Sequence, residues 1–188
     1  MTARSILRQE TRDNHDRVDA LFSDLRLSDR ADYGRFLLAQ AGAFLPCEAA
    51  LDEAGAAKVL PDWPSRRRSD ALRADLAALG LEAPEQGGGP GFAGPAAILG
   101  GIYVLEGSRL GGAMLARSVP LDFPRHFLAG SSPGGGSSGG GSSGAWRNLI
   151  QLLDDRIRTE EEIQDAVDAA RKVFGLFERS GHAKIKAG

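Results

Sequence analysis

The sequence predicts an all-α fold, a single-domain helical bundle of about seven helices. Three observations predict it. Apolar residues recur at intervals of three and four along most of the chain. No stretch alternates apolar and polar residues as a half-buried strand does. Capping residues, glycine stops and prolines punctuate the periodic segments at helix-sized intervals. At 188 residues the chain is long enough to bury one good core, and residues 1–188 are read as one domain.

The first helix is expected from Thr2, its N-cap, to Ser23. Leu7, Thr11, Val18, Leu21 and Phe22 keep the 3.6-residue period, and His15 sits on the same stripe. Arg12 and Asp16 on the polar face are spaced as an i,i+4 pair. A histidine on an apolar face is by default a core residue. It becomes a metal-ligand candidate only where other features imply a cofactor.

Ser28 or Asp29 caps a second helix from Arg30 to Leu45. Pro46 is expected to bend or interrupt it, because proline lacks the N–H and clashes with the preceding turn. Cys47 to Ala54 continue as helix and Gly55 ends it. Trp63, between two prolines, is expected as a plug. A third helix is expected from Ser65 or Ser69 to Leu79, before Gly80, with Arg66-Arg67-Arg68 read as a solvated helix start.

The stretch Pro95 to Pro120 reads as one long helix with Gly100, Gly101, Gly107, Gly111 and Gly112 inside it. Each interior glycine costs about 1 kcal/mol relative to alanine. At about 100° per residue, Gly100, Gly107 and Gly111 fall on nearly one line, with Val104 between them. That line is a groove where something approaches the backbone. A partner helix and a flat ligand both fit it. Beyond it, Asp122 to Leu128 makes about one helical turn, with His126 as an exposed or capping residue.

Ser131 to Gly144 holds seven glycines and six serines, a near-repeat of GGGSS. It is expected to be a flexible segment and has the look of an engineered one. Helix resumes at Ala145 with Trp146, Leu149, Ile150 and Leu153. Thr159 and Glu162 form a capping box for a last helix from Glu160 to Ser180. His182 is expected in an exposed tail.

The net charge of −2 gives no electrostatic case for nucleic acid or an anionic membrane as partner. No apolar run approaches the roughly 20 residues of a membrane span. Cys47 is the single cysteine, which excludes an internal disulfide and suits a reducing, cytoplasmic location.

Two stretches carry a family resemblance. Leu7 to Phe22, reading LRQETRDNHDRVDALF, resembles the proximal-helix motif of haem oxygenases. Tyr103 to Gly112, reading YVLEGSRLGG, resembles the distal-helix motif of their bacterial branch, which includes enzymes that supply biliverdin to bacterial phytochromes. Ala169 to Phe174, followed by Phe177 and Glu178, is similar to the family's last helix.

The resemblance implies a haem b, bound as substrate and cofactor, with His15 as its metal ligand. Gly107 and Gly111 are the paired distal glycines, followed by Gly112. Arg8, Tyr103 and Arg171 match the residues that hold the haem propionates. The implied reaction is the opening of haem to biliverdin, CO and ferrous iron, with O2 and electrons from a ferredoxin or an NAD(P)H-dependent reductase. Ser108 stands where animal-type members carry an aspartate that holds the distal water, so the water-holding group is not identified from sequence. Glu106 points away from the glycine face and reads as a surface or salt-bridge residue. The alternatives are a haem or tetrapyrrole sensor or carrier that does not turn over, and a plain helical interaction module.

Overall fold

The computed structural model describes residues 2–85, 87–130 and 142–185. Most of the Gly/Ser segment lies outside the described residues. Among them the chain is helical without a strand. The helices are α1 (Ala3–Glu10), α2 (Arg12–Phe22), α3 (Arg30–Glu53), α4 (Ala56–Val59), α5 (Trp63–Arg66), α6 (Ser69–Ala78), α7 (Gly94–Leu115), α8 (His126–Ala129), α9 (Ser142–Arg156) and α10 (Glu160–Ile185), with a 3₁₀ turn at Ala116–Ser118. Those of eight residues or more number seven, as the sequence pattern implies.

The last helix is the axle: α7, α3, α2 and α1 all pack on α10. Its inward face presents Ala166, Val167, Ala170, Val173, Phe174 and Phe177, all buried. Small residues there allow close approach. A Cβ on Gly100 would run into the backbone of Ala166, so at this position the glycine line is helix–helix packing. The capping box at the start of α10 is complete: Glu162 N–H donates to Thr159 Oγ1 at 3.2 Å and Thr159 N–H to Glu162 Oε2 at 3.0 Å. The helix runs five residues past Ser180, so His182 is an exposed residue of α10 rather than of a tail.

Several elements differ from the sequence expectation. The first helix is two helices, broken at Thr11. The buried Thr11 hydroxyl donates to Leu7 O at 2.7 Å, a back-bond that bends helices. Pro46 does not interrupt α3, which is continuous from an Asp29 cap to Gly55 at φ +81°. Phe44, Leu45, Cys47 and Leu51 on both sides of the proline are buried, and this packing carries the helix across it. Trp63 is buried, and its Nε1 donates to Asp52 Oδ1 at 2.7 Å.

Candidate functional site

His15 is not a core residue. Its side chain is 61% exposed on α2, with the ring edge toward Phe174 of α10. Nδ1 lies 3.2 Å from Asp19 Oδ2, one turn on, and 3.8 Å from Asp16 Oδ1. No ion pair joins Asp16 to Arg12 among the described residues. A carboxylate beside one ring nitrogen is the kind of outer partner that a histidine ligand has.

Helices α1, α2 and α7 all pack on α10. At one end, the positive charges of Arg4 and Arg8 reach the Tyr103 hydroxyl. Burial pushes that hydroxyl above its ordinary value and the two arginines pull it back, so it stays protonated at neutral pH. At the other end Phe22 and Leu115 line one cavity of about 340 Å³, with Leu25, Leu27, Phe36 and Ser118. His15 is midway in sequence between Arg8 and Phe22. Arg109, between Gly107 and Gly111, is midway between Tyr103 and Leu115. The histidine and the two distal glycines thus belong to two helices that both pack on α10.

The glycine line divides by role. Gly100 packs on α10 and Gly101 on the Phe92 ring. A Cβ on Gly112 would meet Leu128 at 3.4 Å, so this glycine faces α8 and the core. Gly107 has only the Trp146 ring nearby, at 3.7 Å, and Gly111 has nothing within 4 Å. Among the described residues nothing requires glycine at position 111. Tyr103, Leu110 and Met114 fall beside this line on the helix, and Leu110 and Met114 are exposed at 38% and 70%. An apolar strip flanking bare backbone suits a flat apolar ligand.

Arg8 is exposed and extends beside this strip. Arg171 is spent elsewhere: its NH2 bonds Glu10 Oε2 at 2.8 Å and Glu10 O at 3.1 Å, tying α10 to the end of α1.

Behind the glycine face lies a buried polar layer, and here the sequence expectation needs correction. Arg66 and Arg68 are 5% and 4% exposed, not a solvated helix start. Arg68 NH2 donates to Leu105 O at 2.7 Å and to Ser108 Oγ at 2.8 Å, while the Ser108 hydroxyl itself donates to Leu105 O. Its guanidinium lies 4.5 Å from the Phe44 ring centre and 4.9 Å from that of Phe127. Burial, with the nearby Arg109 charge, lowers its pKa to about 9, so it remains a cation at neutral pH. Its backbone N–H and that of Ser69 donate to Glu48, whose carboxyl burial pushes upward. Glu106 is buried as well, at 4% exposure, between Arg66 and Arg109; it is a salt-bridge residue but not a surface one.

Sequence reasoning missed Arg68 and Trp146 as site residues. Trp146 stacks at a tilt on Tyr103, with ring centres 5.5 Å apart, and borders Gly107. His126 is half-buried. The fully buried Asp75 accepts from its Nδ1 at 2.8 Å and from the Phe127 N–H, which makes Asp75 the cap of α8. Among the described residues no cluster of three or more His, Cys, Asp or Glu could hold a metal, and no helix is long and apolar enough to cross a membrane.

No family model matches the chain. Individual proteins do. The chain is 32% identical to the haem oxygenase PigA of Pseudomonas aeruginosa over 173 residues, which is 89% of this chain and 85% of the relative. It is 33% identical over 122 residues to a haem oxygenase of Xanthomonas campestris pv. campestris, covering 61% of this chain and 67% of that one. Its fold matches the NO- and CO-bound haem oxygenase of Neisseria meningitidis with a TM-score of 0.83 at 24% identity, over 99% of this chain and 93% of the other. The Leptospira interrogans haem oxygenase matches with a TM-score of 0.73 at 20% identity, over 97% and 100% of the two chains. With a relative of this identity matched over most of both chains, the chain belongs to the haem oxygenase family.

Proposed function

We propose that this chain binds haem b between α2 and α7 and opens it to biliverdin, CO and ferrous iron. It consumes O2 and electrons from a separate donor, a ferredoxin or an NAD(P)H-dependent reductase. The observation that carries the reading is the contrast along α7. Gly100 and Gly101 face protein and are demanded by packing, whereas a Cβ on Gly111 would meet nothing within 4 Å among the described residues.

The haem iron supplies the O2 chemistry; the chain supplies placement. His15 would hold the iron, with the Asp19 carboxylate beside its Nδ1. Arg8 and the protonated Tyr103 bind propionate at the α1 end. Gly107 and Gly111, without side chains, would let the α7 backbone lie close to a bound ring. Ser108, bound by Arg68, offers the polar position beside Gly107. The fixed Arg68 charge is the group that orders a distal water where other members use an aspartate. Gly112 and Arg171 contribute support rather than contact: one seats α8 and the other joins α10 to α1. The single buried cysteine agrees with a cytoplasmic protein.

Hemin titration followed by a reductant and air tests this reading. Hemin is expected to give a Soret band that shifts and weakens in His15→Ala. Reduction in air is then expected to replace it with biliverdin absorption and released CO. A Soret band unchanged in His15→Ala overturns ligation by this residue. A stable haem spectrum under reductant and O2 favours the carrier reading instead.

A further inference from the structure

Glu106 is the last residue before Gly107 and one of the most buried charges in the protein, at 4% exposure. Each of its oxygens is engaged. Oε2 accepts from Arg66 NH1 at 3.0 Å; Oε1 accepts from Arg109 NH2 at 3.1 Å and Nε at 3.2 Å. Arg66 is itself 4% exposed at the side chain. It reaches Asp62 Oδ2 at 2.8 Å and Ala145 O at 3.1 Å, and its own carbonyl accepts from Arg109. The turn before α5, α5 itself, α7 and the start of α9 thus converge on one carboxylate.

Buried ion pairs of this kind seldom add net stability, because desolvation offsets the attraction. What they do supply is one permitted geometry. The place where this matters is the turn from Gly107 to Gly112, which holds three glycines and is the weakest stretch of the helix. Glu106 and Arg109 bracket Gly107. They project about 120° or more around the helix from the glycine line, so they grip α7 from behind and leave its face bare. Any slide or rotation of the glycine turn would pull Glu106 from the Arg66 guanidinium and Arg109 from the Arg66 carbonyl at once.

We propose that Glu106, clasped by Arg66 and Arg109, is a positioning residue that fixes the height and rotation of the glycine turn over the ring and so selects which edge of the macrocycle is attacked. The inference rests on the reading of that face as the haem cover.

The test uses the full chain as Glu106→Gln, which keeps shape and removes charge, and Arg109→Lys, which keeps charge and removes the second N–H. Leu72→Ala, a fully buried residue of α6, controls for lost stability. Amide hydrogen exchange at residues 107–112 without haem, hemin affinity, turnover and the biliverdin isomers formed are measured. In Glu106→Gln, exchange at these amides is expected to rise about tenfold or more while hemin affinity stays within about threefold. Turnover falls about tenfold and more than one isomer appears; Arg109→Lys falls between this variant and the parent, and Leu72→Ala leaves exchange at 107–112 and the isomer pattern unchanged. Parent-like exchange and a parent-like isomer pattern in Glu106→Gln overturn the proposal, as does the same change in Leu72→Ala. Failure of the parent chain to bind hemin would instead strike the haem reading, and the exchange data would still decide whether the clasp holds the turn.

Discussion

Gly111 and Gly100 occupy one line of α7, yet the same substitution should move stability in opposite directions. An alanine at Gly111 meets nothing within 4 Å, so only helix propensity acts, and it favours alanine by about 1 kcal/mol. In a domain of this size that raises Tm by roughly 2–4 °C. Alanine at Gly100 gains the same propensity but drives its Cβ into the Ala166 carbonyl and Cα. Backbone in the centre of two packed helices cannot rotate aside, so overpacking reaches the upper part of its usual range, about 3 kcal/mol. The net loss is about 2 kcal/mol, a fall of roughly 4–8 °C. Leucine at Gly111 keeps nearly the stability of alanine there but fills the face over the ring. Its hemin affinity should drop tenfold or more, which is about 1.4 kcal/mol. Thermal unfolding followed by circular dichroism on haem-free protein, with hemin titration of the same samples, reads all three. A Gly111→Ala protein less stable than its parent, or a Gly111→Leu protein that binds hemin normally, would refute the assignment of that face to a ligand. A neutral Gly100→Ala would refute the packing argument.

Two further outcomes follow from the buried layer. Arg68→Met fills the space between Phe44 and Phe127 but removes charge-assisted bonds to Ser108 and Leu105. It should cost about 2 kcal/mol by urea unfolding and slow ring opening with hemin affinity nearly unchanged; parent-like turnover would remove Arg68 from the distal site. Glu48 has its carboxyl raised by burial above 4.5, so its neutral form is the one that folding favours. The stability it contributes is complete below that value and is lost as pH rises through the raised one. The urea midpoint of the parent minus that of Glu48→Gln should therefore fall as pH increases from 4.5 upward, and a flat difference would refute it.

What was legible in the sequence is local. The caps at Thr2, Asp29 and Thr159, the stops at Gly55 and Gly80, and the long periodic runs each arise from contacts within a few residues, and each appears in the structure. The two family motifs are legible for the same reason, since each is one contiguous run, Leu7 to Phe22 and Tyr103 to Gly112. Three features stayed hidden for three reasons. The break at Thr11 depends on where one hydroxyl turns, and Thr11 otherwise fits the apolar stripe. The burial of Arg66 and Arg68 depends on Glu48, Glu106 and Ser108, partners twenty to forty residues away that no local pattern joins to an arginine run. The continuity of α3 through Pro46 comes from tertiary packing that outweighs a missing hydrogen bond. Conversely, His15 fell on the stripe by spacing, but the break at Thr11 separates α2 from the turn of the stripe that carries Leu7, and α2 leaves the histidine in the open.

Helix α9 has a bearing on how the chain could vary in length. It is held by ties that do not run through the chain preceding it: Arg66 grips the Ala145 carbonyl, Trp146 lies on Tyr103, Leu149 and Leu153 are buried, and Asp154 accepts from the Arg4 N–H. Its seat is therefore set by the body of the protein rather than by the length of chain between α8 and α9. Closing a longer connection costs little, about 0.6 kcal/mol for each doubling. The number of residues there is thus nearly free to drift, by insertion or deletion, without moving Tyr103, Gly107 or the helix that flanks them.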